Sequence, residues 1–263
     1  MSEDGTVTTQ LNDHILTITV DRQSKMNSFT PEMFDLLSTA FEELEQSDEA
    51  WVGVLCFAGK HTTAGLDLPK FAASMRDGSG EADPQQEPAL DAFSMQRRCK
   101  KPVVMAIQGI CYTIGIEMML GVDIVVASED ARFCQLEPKR GLAVFGGAHV
   151  RYVQRAGWGN AMYHLLRADE FDAARALQLG FIQEIVPTGE QQDRAHALAS
   201  EIAGCAPLAV QEIKRASAVY LKHGEQAAFQ EIPNMRANTA NSEDFAEGIA
   251  SFQEKRDAVF KGK

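Results

Sequence analysis

The chain has 263 residues, 45% apolar and 24% charged, which suits one large soluble domain, or one domain with an appendage, around a real hydrophobic core. Its formal net charge of −12 repels nucleic-acid phosphates and anionic lipid surfaces, and no long basic run offsets it. Five cysteines without a CxxC spacing and six histidines without an HExxH or HxH pair form no metal motif, and they fit the reduced thiols of a cytoplasmic protein.

The acidic, polar start "MSEDGTVTTQ" has the character of neither a secretory signal nor a transit peptide. The stretch "TVTTQLNDHILTITVD" predicts two strands joined by a turn at Asn12-Asp13, with Ile15, Ile18 and Val20 among the apolar positions. In "FTPEMFDLLSTAFEELEQSD", Thr30 can cap a helix and Pro31 suits its first turn. Met33, Leu37, Ala40, Phe41 and Leu44 then fall on one stripe. "WVGVLCFAG" predicts a buried strand, followed by the loop "KHTTAGLDLPK".

Further on, "RDGSGEADPQQEP" is polar and rich in breakers. It reads as a mobile loop, of a kind that is mostly solvated and sometimes covers a site. A helix is expected over Leu90 to Cys99, then the strand "PVVMAIQG", a short helix, and the strand "VDIVVAS". Val103 to Ser128 is long enough to span a membrane. Gln108, Glu117, Asp123 and three glycines interrupt it, however, and no basic cluster flanks it, so a buried part of a soluble α/β domain is the better reading. From Gly146 onward the pattern turns mainly helical, with one apolar strand at "FIQEIVP" and striped helices at the end.

Three stretches hold candidate chemistry. "TTAGLDL", directly after a strand, can leave backbone N–H groups facing a ligand. "QGICYTIGIE" opens a helix whose free N–H groups suit a developing negative charge, and it sets Glu117 inside the most apolar run of the chain. "RFCQLEPKRGL" places Glu137 before Pro138. Taken singly, each acid reads more readily as a surface or capping residue than as a catalyst. His61 and His149 lie near these stretches without a G-x-S-x-G elbow, and are expected to be structural or solvent-facing.

Together the stretches resemble the crotonase (enoyl-CoA hydratase/isomerase) superfamily. "TTAGLDL" is similar to its FxAGxDL loop. "KPVVMAIQGICYTIGIEMMLGVDIVVASEDARFCQLEPKRGL" resembles its KPVIAAVxGxAxGGGxELAxxCDxxxAxxxAxFxxPExxxGL block. "DRQSKMNSFTPEM" and "EDFAEGIASFQEKRDAVF" are similar to the opening and closing segments, so the resemblance covers nearly the whole chain.

The resemblance implies an α/β fold of the ClpP/crotonase-like kind. Residues 1–200 would form a spiral of ββα units carrying an acyl-CoA site, and residues 201–263 a helical trimerisation region. It implies reversible hydration of a 2-enoyl-CoA thioester by Glu117 and Glu137, with an oxyanion hole from the N–H groups of Leu66 and Ile114. Ala64 would contact the CoA adenine through its carbonyl, and Lys25 would approach the CoA phosphates. No metal or redox cofactor is implied, since CoA arrives with the substrate. The expected partners are the acyl-CoA and further copies of the chain, as a homotrimer or dimer of trimers, with no nucleic acid or membrane.

An enoyl-CoA isomerase, a specialised acyl-CoA dehydratase and a non-catalytic acyl-CoA binder are the alternatives. Departures from the family pattern concern the substrate. Thr113-Ile114-Gly115 stands where the family has three glycines, Leu136 where it has proline, and "AVFGGAHV" in its Pro-x-x-Gly stretch. A β-branched Ile114 resists positive φ and is expected to narrow the acyl pocket, and Phe145 to reshape its wall. These changes point away from short straight-chain substrates.

Overall fold

The computed structural model describes residues 4–72 and 89–263. The breaker-rich segment 76–88 lies outside the described residues. Strands β1 (Thr6–Asn12) and β2 (Ile15–Asp21) form an antiparallel hairpin. Its turn sits on Asp13 and His14, one residue later than the sequence suggested, because these two residues take φ of 46° and 66°. Helix α1 (Pro31–Gln46) starts where Thr30 accepts the Met33 N–H, and its buried residues are Met33, Leu37, Ala40, Phe41 and Leu44.

Strand β3 (Val52–Phe57) is buried at every position. Alternation sends Leu55 and Phe57 into one hydrophobic cluster and Val52, Val54 and Cys56 into another on the opposite face of the sheet. β4 (Val103–Ile107), β6 (Ile124–Ser128) and β9 (Glu184–Val186) extend this sheet in the order β1-β2-β3-β4-β6-β9, parallel from β2 onward. A second sheet has the order β5-β7-β8, from β5 (Ile110–Tyr112), β7 (Arg132–Cys134) and β8 (Phe171–Asp172).

The chain thus passes from β4 into β5, and from β6 into β7, placing one strand in each sheet per turn of a spiral. Gly109 makes the first of these corners at φ 52°, where a Cβ would lie 2.4 Å from the Lys60 carbonyl oxygen. Each pair leads to a helical segment at the site. α2 (Leu68–Phe71) follows β3, α3 (Ile114–Gly121) follows β5, and a short 3₁₀ turn (Glu137–Arg140) follows β7.

The expected helix over Leu90 to Cys99 is absent, and the segment runs as turns and bends. Side chains satisfy its backbone instead of a helical ladder. Glu42 accepts from Leu90 N–H at 3.1 Å, Ser38 donates to Leu90 O at 2.8 Å, and Glu45 accepts from Lys100 N–H at 2.7 Å. The strand at "FIQEIVP" is confined to β9, and β8 adds a second strand to the C-terminal half.

α4 (Ala148–Arg167, kinked at Gly157), α5 (Ala173–Gln178) and α6 (Gln191–Ala203) complete the spiral, α6 lying over the outer sheet face through Ala195 and Ala199. Helices α7 (Pro207–His223), α8 (Glu225–Gln230), α9 (Ile232–Ala240) and α10 (Glu243–Glu254) follow. Lys214 of α7 bonds Asp123 and the Lys101 carbonyl, and Phe260 returns to pack on the outer cluster. Among the described residues no helix is long and apolar enough to cross a membrane.

Candidate active site

Three segments meet where the spiral's turns end. In the first, Thr63 N–H donates to Ile110 O and Tyr112 N–H to Thr63 O, both at 3.0 Å, which joins "TTAGLDL" to β5. On its other side, Phe29 N–H donates to Gly65 O and Asp67 N–H to Phe29 O, both at 2.9 Å. A parallel bridge of this form uses the groups flanking Leu66 and leaves the Leu66 N–H directed away from Phe29. Arg22, itself buried, anchors the loop by an ion pair to Asp67 at 2.9 Å.

The second segment is the start of α3. Ile114 is its first helical residue, so its N–H has no acceptor within the helix. The positive φ expected to trouble Ile114 falls instead on Thr113, at φ 51° and ψ −114°. Thr113 N–H donates to Cys134 O at 2.9 Å, while Thr113 O accepts from Ile116 and Glu117. The Thr113 hydroxyl rests on Gly65, 2.3 Å from where a Cβ there would stand, so Gly65, at φ 109°, must remain glycine.

Glu117 is only 2% exposed and lies on α3 among wholly buried neighbours. Its Oε1 accepts the N–H of Gly146 at 2.8 Å and of Ala148 at 3.2 Å, leaving Oε2 for a ligand. Arg151, one turn further along α4, donates to the Glu117 carbonyl at 3.4 Å and to Ser94 O at 3.0 Å. Burial raises the Glu117 pKa, against the pull of the two backbone donors and Arg151.

Glu137 opens the 3₁₀ turn of the third segment. Its Oε2 is buried and makes no hydrogen bond among the described residues. Burial lifts its pKa to about 7, opposed by its own backbone N–H and reinforced by the charge of Glu117. Two carboxyls in one apolar cleft are thereby biased toward holding a proton near neutrality.

Ala64, Leu66, Thr113, Ile114, Glu117 and Glu137 all line one cavity of about 590 Å³. The rest of its wall is largely apolar, including Phe34, Phe71, Phe93, Met95, Leu142 and Phe145. Lys25 does not line it. It is exposed beside Met26, whose carbonyl accepts the Ala64 N–H at 2.9 Å. His61 accepts the Ile110 N–H at 3.1 Å and His149 is exposed, in keeping with structural and solvent-facing roles. Among the described residues no group of three or more His, Cys, Asp or Glu could hold a metal ion.

Several site features escape sequence reasoning. The Gly146 and Ala148 donors are backbone groups and carry no side-chain signal. Phe34 is an apolar residue off the main stripe of α1, and that offset is the one sign that α1 has a second packing face. Its ring meets Phe71 and Phe93 at centroid distances of 5.8 and 5.7 Å.

The enoyl-CoA hydratase/isomerase family model matches residues 10–263. The chain is 32% identical to enoyl-CoA hydratase EchA19 of Mycobacterium tuberculosis over 95% of this chain and 94% of the relative. It is 28% identical to 2,3-dehydroadipyl-CoA hydratase of Escherichia coli, over 95% and 96%. A crystal structure of a probable enoyl-CoA hydratase/isomerase from Mycobacterium abscessus superposes with a TM-score of 0.92 at 37% identity, covering 98% of each chain.

Proposed function

Because the chain belongs to the enoyl-CoA hydratase/isomerase family, we propose that it hydrates a 2-enoyl-CoA thioester reversibly, with Glu117 and Glu137 as its acid–base pair. The observation that carries this reading is that the buried Glu117, Glu137 with its buried Oε2, and the backbone of Leu66 and Ile114 line a single largely apolar cavity.

The Leu66 and Ile114 N–H groups hold the thioester oxygen. As water attacks Cβ, the π electrons of the double bond move to make an enolate whose negative oxygen these donors stabilise; each is worth about 3–4 kcal/mol of barrier. Glu117, oriented through Oε1, uses Oε2 to take a proton from the water. Glu137, whose pKa burial lifts to about 7, gives a proton from its protonated form to Cα as the enolate collapses. A proton then passes from Glu117 back to Glu137 through the site or solvent, and the reverse sequence dehydrates. The two acids titrate as a coupled pair. The Ala64 carbonyl receives the CoA adenine, and Lys25 meets the phosphates near the mouth.

The same reading takes the protein as a cytoplasmic homotrimer or dimer of trimers that needs no cofactor beyond the CoA of its substrate. Residues 1–200 form its catalytic core and 201–263 its assembly region. In support, Trp158, Leu166 and Phe252 are 71%, 72% and 85% exposed, a costly display of large apolar groups for a lone subunit.

The test follows loss of the conjugated enoyl-thioester absorbance over short, long, branched and aromatic enoyl-CoAs, with Glu117→Gln and Glu137→Gln alongside. Hydration that collapses in both variants is the expected result. Tight acyl-CoA binding with no hydration across the panel would overturn the assignment, and a double-bond shift without water uptake would replace it by isomerisation.

A further inference from the structure

Arg140 is the only basic side chain among the described residues lining the cavity. It follows Glu137 by one full 3₁₀ turn, and in that helix positions three apart eclipse, so the guanidinium stands on the same face as the reacting acid. Among the described residues it forms no ion pair, and its hydrogen bond is a 3.5 Å contact to the carbonyl of adjacent Lys139. The acids of the cavity do not neutralise it. Glu117 Oε1 is taken by two backbone donors, and Glu137 Oε2 is buried without a hydrogen-bond partner among the described residues. The wall around it is apolar: Leu136, Leu142, Ala143 and Phe145.

A guanidinium with unused donors beside an apolar pocket is suited to bidentate capture of a carboxylate at the end of an apolar chain. We propose that Arg140 is a specificity residue that selects enoyl-CoA substrates whose acyl chain bears a second, free carboxylate, the monothioesters of unsaturated dicarboxylic acids. This rests on the hydratase reading and narrows its substrate class. The apolar wall holds the carbon chain, and Arg140 fixes its far end so that the double bond lies between the two acids. The CoA phosphates are the other source of anionic oxygen, and the test separates the two.

The experiment compares kcat/KM for 2-hexenoyl-CoA and its ω-carboxy counterpart, 2-hexenedioyl-CoA, in wild type, Arg140→Gln and Arg140→Lys. The same two acyl groups are also presented on pantetheine, which lacks the phosphates. The expected result is a carboxy-to-methyl ratio above one in wild type that falls about tenfold or more in Arg140→Gln, on both carriers, with partial rescue in Arg140→Lys. An unchanged ratio with loss on both CoA substrates, but not on pantetheine, would show that Arg140 reads phosphate and overturn the proposal. An unchanged ratio on both carriers without loss would make Arg140 a solvated surface charge and overturn it equally. Absence of turnover on every substrate would strike the hydratase reading. The calorimetric affinity ratio of adipyl-CoA to hexanoyl-CoA, read with and without Arg140, decides the inference in that case.

Discussion

Glu117 and Gly146 are in contact across the site: the Gly146 N–H donates to Oε1 at 2.8 Å, and a Cβ on Gly146 would stand 2.4 Å from Oε2. The orientation of this buried carboxylate is therefore set by a backbone group on a residue that has no room for a side chain. Gly146→Ala should displace the carboxylate while leaving the spiral folded. The expected outcome is a fall in kcat of about a hundredfold with a small change in acyl-CoA affinity, read by steady-state kinetics and binding calorimetry.

The Glu137 pKa of about 7 sets a pH dependence. If Glu137 donates the proton as proposed, it must be protonated, so kcat/KM for hydration should decline as pH rises through about 7, and Glu137→Gln should lose that limb along with most activity. The folded-state pKa is raised above the usual carboxylate value, so this group's stability contribution is present at low pH and is lost as pH rises through the folded pKa. Wild-type Tm should therefore drop relative to Glu137→Gln as pH rises from about 4.5 through about 7, and level off above that. Parallel melting curves for the two proteins would contradict the assignment.

Gly65 and Thr113 form a second coupled pair. An alanine at 65 meets the Thr113 hydroxyl at 2.3 Å and must adopt φ 109°, so Gly65→Ala should lower both kcat and stability. Thr113→Gly frees the space and relieves the backbone at φ 51°. In a double-mutant cycle the two changes should couple by about 1–2 kcal/mol, with Gly65→Ala less harmful in the Thr113→Gly background. Strict additivity would mean that the hydroxyl does not enforce the glycine.

In the proposed mechanism Ile114 would supply the hole through its backbone, and its side chain, 6% exposed, lines the same cavity. Ile114→Ala should keep hydration and raise kcat/KM for branched or aromatic acyl groups relative to straight ones, measured over a substrate panel. Loss on every substrate alike would indicate that the side chain holds the helix start in place.

Lys214 ties α7 to the core through Asp123 and the Lys101 carbonyl. Lys214→Ala should lower stability by about 1–2 kcal/mol, seen in denaturant unfolding, because it strips a charged donor from a half-buried carboxylate. If residues 201–263 mediate assembly as proposed, the same variant should also show a lower mass in light scattering at dilute protein.

The sequence by itself determined the elements whose periodicity is local and strong. Thr30, Pro31 and the Met33-to-Leu44 stripe specify α1 because cap, first turn and apolar face all lie within one segment. The motif order around Leu66, Ile114, Glu117 and Glu137 was legible for the same reason, since each motif is contiguous. The stretch Leu90 to Cys99 was misread as helix because its backbone partners, Ser38, Glu42 and Glu45, sit on α1 some fifty residues away. Only the tertiary structure decided which polar group serves which. It set Gly146 and Ala148 on Glu117, laid Thr113 over Gly65 and moved the strained φ from Ile114 to Thr113. The physical reason is that backbone N–H groups are identical at every position, so their roles arise only when distant segments are packed against one another.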